Sequence, residues 1–283
     1  MPRTVRALVA LLYATAAATV AVELLNWVYA PERGFGLAVR TGWALLRSFG
    51  FLVLVWHVRR GRAGARPLGL ILAVTTVFAV GRLIVPRSGV PPLPGVLGFA
   101  LLTGCCVAVV ALLYRAPAVA GHLVRHPNRL VVDRRGIGWQ EAVPRRPPAA
   151  AWALTARVAA FTYPALMTVP ALVSLGRLDT LPLSLAWLAF AVVVGNALLP
   201  IAIFLVRGRA WARVALTLVT VIVLVVDLPL CWLLLGVDGL VRDGAPLAVA
   251  AAIALWAAWR LRTAATARVP SPRGESPVTD TVR

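Results

Sequence analysis

A chain of 283 residues that is 60% apolar and 14% charged, with a mean hydropathy of +0.86, has too little polar surface to cover a water-soluble globule. All 29 basic residues are arginine, which excludes chemistry that needs a lysine amine, such as a P-loop, a Schiff base or a Ser-Lys dyad. The formal charge of +19 falls at the ends of apolar runs and not among aromatics on a polar domain, so it argues for membrane topology and against nucleic acid.

A spanning helix needs about 20 apolar residues to cross roughly 30 Å of hydrocarbon. Eight runs reach that length and predict an all-α polytopic membrane helix bundle. The first, Ala7 to Tyr29, follows Arg3 and Arg6 and also fits a secretory signal peptide. Its apolar character continues past the Ala-x-Ala sites through Val20, Leu24 and Trp27, which favours an uncleaved span. Val39 to Val58 is the least apolar run, because it carries Arg40 and Arg47. Leu68 to Val85 and Gly95 to Tyr114 complete a first four-span half, residues 1–114. A basic loop, residues 115–150, separates it from a second half, residues 151–262, with runs Trp152 to Leu175, Leu181 to Val206, Trp211 to Leu235 and Ala245 to Trp259. The tail, residues 263–283, is rich in Pro, Ser and Thr and is expected to be disordered.

Cytoplasmic loops retain positive charge during insertion. Alternate loops and ends hold 21 arginines against five, with Arg47, Arg82 and Arg157 inside runs. The alternation predicts a bacterial inner-membrane protein with both termini cytoplasmic. The loop at 115–150 carries Arg125, Arg129, Arg134, Arg135, Arg145 and Arg146, and Arg129 to Trp139 has the pattern of a short hairpin. Its charge is ordinary positive-inside charge, or it contacts anionic lipid headgroups or an acidic protein partner. A homo-oligomer is left open.

Arg60-Gly-Arg-Ala-Gly-Ala-Arg66 aligns with Arg207-Gly-Arg-Ala-Trp-Ala-Arg213 at an offset of 147 residues, and each opens a span. Two similarly oriented halves, or recurrence of a short Arg/Gly/Ala loop by composition, account for it. The Gly-Arg-x-Trp-Ala-Arg pattern at Gly208 to Arg213 resembles a loop of small multi-pass membrane proteins of high-GC bacteria. That resemblance covers one loop and implies no functional residue. Pro164, Pro170, Pro200 and Pro229 lie inside runs of the second half alone, so its first three helices are expected to bend.

Ionisable residues inside the bilayer carry the functional expectation. Glu23, Arg47, Arg82 and Asp227 fall at similar depth in the outer half, where each charge costs about 2.5–3.5 kcal/mol. They are expected to pair as Glu23/Arg47 and Asp227/Arg82, with Asn26 joining one turn beyond Glu23. Such a network either fixes helix packing or lines an outward-open cavity that binds an anionic or zwitterionic solute or relays protons. Asn196 is expected to make an interhelical hydrogen bond. Cys105, Cys106 and Cys231 lack metal or disulfide spacing, and His122 and His126 have no third ligand nearby, so no metal, cofactor or catalytic constellation is expected. The leading expectation is a carrier or permease-like protein for a small solute. The alternative is a non-catalytic membrane component that binds a protein or anionic lipid through its basic cytoplasmic face.

Overall fold

Leu, Ala, Val and Ile dominate the long runs, and a backbone in hydrocarbon finds no water, so these runs satisfy their N–H and C=O groups within helices. The computed structural model describes residues 1–30, 33–84, 91–123, 128–133, 136–141, 151–176 and 178–266. The first half comprises α1 (Arg3–Tyr29), α2 (Phe35–Arg59), α3 (Ala65–Val80) with a 3-10 turn over Gly81–Ile84, and α4 (Pro92–Arg115). A short α5 (Pro117–His122) leads to β1 (Asn128–Asp133) and β2 (Gly136–Glu141), an antiparallel pair with Leu130 opposite Trp139 and Asp133 opposite Gly136. The second half comprises α6 (Ala151–Phe161), α7 (Tyr163–Ser174), α8 (Leu181–Val206), α9 (Ala210–Gly239) and α10 (Ala245–Thr266).

Seven helical runs among the described residues are long and apolar enough to cross a membrane. The last, Ala210–Thr263, has 54 residues and would stretch roughly 80 Å if straight. It folds back instead. Gly236 leaves the helix at φ 72° and ψ −167°, a π-type turn covers Leu240–Gly244, and Gly244 returns against Leu228 and Cys231 of α9. The two arms are separate helices, α9 and α10, matching the last two of the eight apolar runs read from the sequence.

Of the prolines, Pro164 coincides with a break: the helix stops at Phe161, Thr162 forms a turn, and α7 restarts with Pro164 in its first turn. There its missing N–H costs nothing. Pro170 and Pro200 sit inside uninterrupted helices, and Pro229 sits in α9 seven residues before the break at Gly236. Asn196 corrects an expectation: it is exposed, and its Nδ2 donates to the Val192 carbonyl of its own helix at 2.9 Å. A lone amide facing lipid satisfies itself locally when no polar neighbour is in reach. The α10 helix runs past Thr263 to Thr266, and residues 267–283 lie outside those described.

Within the first half α1 packs on α2 and α4, and α3 on α2 and α4; within the second, α8 packs on α7 and α9, and α10 on α6 and α9. The halves meet where α2 touches α7 and α3 touches α6 and α10. Leu8, Leu12, Phe51, Leu54 and Leu113 fill one core, Tyr163, Trp187, Leu198 and Leu216 a second, and Val22, Val80, Leu83 and Leu102 form a small third cluster. Ala156, Ala159 and Ala160 of α6 join Ala250, Ala254 and Ala257 of α10 in the second core, and such small residues let helix backbones approach closely. Large apolar side chains point outward, with Leu93 at 71% exposure and Leu233 at 69%, a surface suited to lipid.

The two arginine loops close their helices in the same way. Gly61 (φ 67°) and Gly208 (φ 75°) take the left-handed conformation that suits a residue without Cβ. Arg62 N–H bonds the His57 carbonyl and Gly61 N–H that of Val58, while Arg209 N–H bonds Phe204 and Gly208 N–H bonds Leu205. Both are Schellman caps. Arg60 and Arg62 then stack on Trp56, at 4.4 and 4.1 Å from the ring centroid, and Arg207 on Phe204 at 5.6 Å.

Candidate functional site

Glu23 is the hub of a polar cluster at the end of the bundle opposite the arginine loops. It lies on α1 six residues before Tyr29, about 9 Å along the helix, and is 6% exposed. Its Oε1 accepts from Thr41 Oγ1 of α2 at 2.9 Å. Its Oε2 accepts from Arg82 Nη2 at 2.9 Å and from Asn26 Nδ2, one turn along α1, at 3.2 Å. One carboxylate thereby ties α1, α2 and the 3-10 turn after α3 together with three donors, two neutral and one charged.

The expected Glu23/Arg47 and Asp227/Arg82 pairs are replaced by other partners. Arg82 is the ion-pair partner of Glu23. The reason is helix register: Ser48 Oγ of α2 donates to the Ala16 carbonyl, and Thr41 meets Glu23, so Arg47 faces α1 near residue 17. That is about 9 Å deeper than Glu23. Asp227 lies in the second half, where its Oδ1 accepts from Trp187 Nε1 at 2.7 Å and its Oδ2 from Cys231 Sγ at 3.6 Å. Tyr163 and Thr220 share a hydrogen bond two turns away on α9. This second cluster is satisfied without an arginine and borders neither cavity described below.

Two adjoining cavities border the first cluster. An inner niche of about 40 Å³ is lined by Thr19, Glu23, Trp43, Arg47, Thr75 and Leu166, among others. An outer chamber of about 640 Å³ has walls that include Gly34, Leu37, Phe78, Phe99, Val173 and Val241. Asn26, Arg40, Arg82 and Arg242 line both. The niche has room for a few waters and the chamber for a small molecule.

Arg40, Arg242 and Asp243 were missing from the expected network, because charges near the ends of runs look like loop charge. Arg40 of α2 approaches Asp243 of the second half at 3.8 Å, too far for a hydrogen bond. Arg40 Nε and Asp243 Oδ2 are buried without a hydrogen-bond partner. Arg47 is 7% exposed, its Nε has no partner, and its guanidinium lies 5.8 Å from the Trp43 ring centroid. Buried or half-buried around the niche are therefore four arginines, Arg40, Arg47, Arg82 and Arg242, against the two carboxylates Glu23 and Asp243. Asp238 is exposed at the rim of the chamber, where water screens it. A surplus of two positive charges in a largely apolar wall favours an anion.

His122 Nε2 contacts the Val58 carbonyl oxygen at 2.9 Å. Arg157 stacks on Phe161 at 5.7 Å. Arg129 lies on β1, but its side chain, together with Arg125, Arg134, Arg135, Arg145, Arg146 and His126, lies outside the described residues. Compared with protein-family models, curated proteins and solved structures, the chain matches none.

Proposed function

We propose that this membrane protein is a carrier that binds a small anionic solute in the arginine-lined cavity between its two halves. The supporting observation is the surplus of buried and half-buried guanidinium over carboxylate around that cavity, with Arg47 Nε buried without a hydrogen-bond partner. An arginine kept there without an anionic partner is costly unless a ligand or water solvates it. No nucleophile-base pair faces the cavity among its lining residues, so binding and transfer fit it better than catalysis.

Both termini are assigned to the cytoplasm of a bacterial cell, which puts the cavity on the outer side of the plasma membrane. Support comes from arginine sidedness and from the stacking of Arg60 and Arg62 on Trp56 and of Arg260 near Trp152, Trp256 and Trp259, an interfacial arrangement. The halves are proposed to be a parallel repeat at an offset of 147 residues. Its support is the matching glycine caps and the burial of Ala44 with Ala191, Phe51 with Leu198, Leu54 with Ile201, and Val58 with Leu205. Under that correspondence Glu23 falls on Pro170, Arg40 on Trp187 and Arg47 on Val194, so the first half supplies three of the four cavity arginines and the second half Arg242.

The test is thermal unfolding of the purified protein in non-ionic detergent with sodium phosphate, sulfate, succinate or glutamate. Saturating ligand at a hundredfold excess over Kd stabilises by about 2.7 kcal/mol. At least one anion is expected to raise the midpoint of the wild type, and Arg47→Gln to weaken that anion at least tenfold while keeping its anion-free midpoint. An Arg47→Gln variant that responds like the wild type, or a wild type that responds to no anion, would overturn the proposal.

A further inference from the structure

We infer that the ligand is a single-chain amphiphile with a phosphate-monoester head, the head held by the arginine layer and the apolar chain by the outer chamber. This deepens the anion reading above and rests on it. Three observations converge. The surplus of two buried or half-buried positive charges around the niche, with the exposed Asp238 left aside, matches a phosphate monoester, which carries about −1.5 to −2 at neutral pH, better than a carboxylate or a phosphate diester, which carries one charge. Arg47 and Arg242 form no hydrogen bond or ion pair among the described residues, so their planar donor sets remain available to phosphate oxygens. The chamber is some sixteen times the volume of the niche, and Leu37, Val77, Phe78, Phe99 and Val173 make most of its wall apolar. A fully hydrophilic anion would occupy the arginines and leave that wall wet, whereas an alkyl or prenyl chain covers it. The chamber's size suits one chain and not a two-chain lipid.

Gly34 and Gly81 offer a way to fill the chamber without disturbing the fold. Both line it, both have negative φ, and a Cβ on either meets nothing within 4 Å. The experiment measures binding of glycerol 3-phosphate, hexyl phosphate, octyl phosphate and octyl sulfate to the full-length protein in maltoside detergent. Affinity is expected to rise at least tenfold from glycerol 3-phosphate to octyl phosphate, and octyl phosphate to exceed the singly charged octyl sulfate at least tenfold at pH 8. Gly34→Leu is expected to abolish the chain-length gain and leave glycerol 3-phosphate unchanged, with Gly81→Leu as the replacement if Gly34→Leu fails to fold. Arg47→Gln is expected to erase the preference for phosphate over sulfate. Equal affinity for glycerol 3-phosphate and octyl phosphate overturns the amphiphile and leaves the anion site standing. Octyl phosphate binding unchanged in both leucine variants assigns the chain to the outer surface and also overturns it. Failure of every phosphate to bind overturns the phosphate-headed amphiphile, and the anion reading falls with it only if sulfate, succinate and glutamate also leave the protein unchanged.

Discussion

Replacing Glu23 by Leu is expected to destabilise the protein by about 3–5 kcal/mol, the cost of leaving a buried charge without its partner. The loss is not confined to one pair. Arg82, Thr41 and Asn26 all donate to this carboxylate, and each would lose its acceptor in a largely buried setting. Glu23→Gln keeps an acceptor for Thr41 or Arg82 and is expected to cost less than half as much. Adding Arg82→Leu to Glu23→Leu removes the stranded charge and should recover most of the loss, because replacing both partners by apolar groups is far gentler than removing one. Thermal unfolding in micelles checks all four proteins. A double variant no more stable than Glu23→Leu alone would mean that Glu23 acts through packing and not through Arg82.

Trp187→Ala is the second large effect. Trp187 is among the largest fully buried side chains and faces Asp227 across α8 and α9. Truncating a buried Trp to Ala costs about 3–5 kcal/mol. Trp187→Phe separates the two contributions: it retains most of the apolar volume and removes only the indole N–H, so about 1–3 kcal/mol is expected. Asp227→Leu in the Trp187→Phe background removes the orphaned acceptor and should return part of that loss. Because this cluster borders neither cavity, none of these changes is expected to alter anion affinity in protein that remains folded. A Trp187→Phe protein that unfolds at the wild-type midpoint would show that the 2.7 Å bond adds nothing to stability.

Much of the architecture was legible in the sequence because span length is a one-dimensional property. Eight apolar runs fall on the long helical segments, with α9 and α10 joined through a folded-back turn that begins at Gly236. The strands at Asn128–Asp133 and Gly136–Glu141 bracket the expected hairpin, and Asn26 bonding Glu23 at i+3 follows from helix geometry. Partner choice was not legible in the same way. Whether Glu23 meets Arg47 or Arg82 depends on how far α2 slides along α1, and packing around Ala16 and Ser48 sets that register. Arg40, Arg242 and Asp243 were hidden by their position, since a charge within two turns of a span end has the same sequence signature as a loop charge. Trp187 was hidden for the opposite reason: an indole N–H in an apolar run carries no charge to mark it, although it is the donor that satisfies Asp227.

The central claim is an anion-binding cavity that opens away from the arginine loops and toward the cell exterior. Its most direct test uses a protein with Cys105 and Cys106 changed to Ala and Cys231 to Ser, carrying a single Gly34→Cys in the chamber wall or a single Ala63→Cys in an arginine loop. Both are treated in intact cells with a membrane-impermeant maleimide, with and without octyl phosphate. The expected result is that Gly34→Cys labels without permeabilisation and more slowly with octyl phosphate present, while Ala63→Cys labels only once the membrane is opened. Labelling of Gly34→Cys from the cytoplasmic side alone would contradict the orientation, and a rate indifferent to octyl phosphate and to inorganic phosphate would contradict the site.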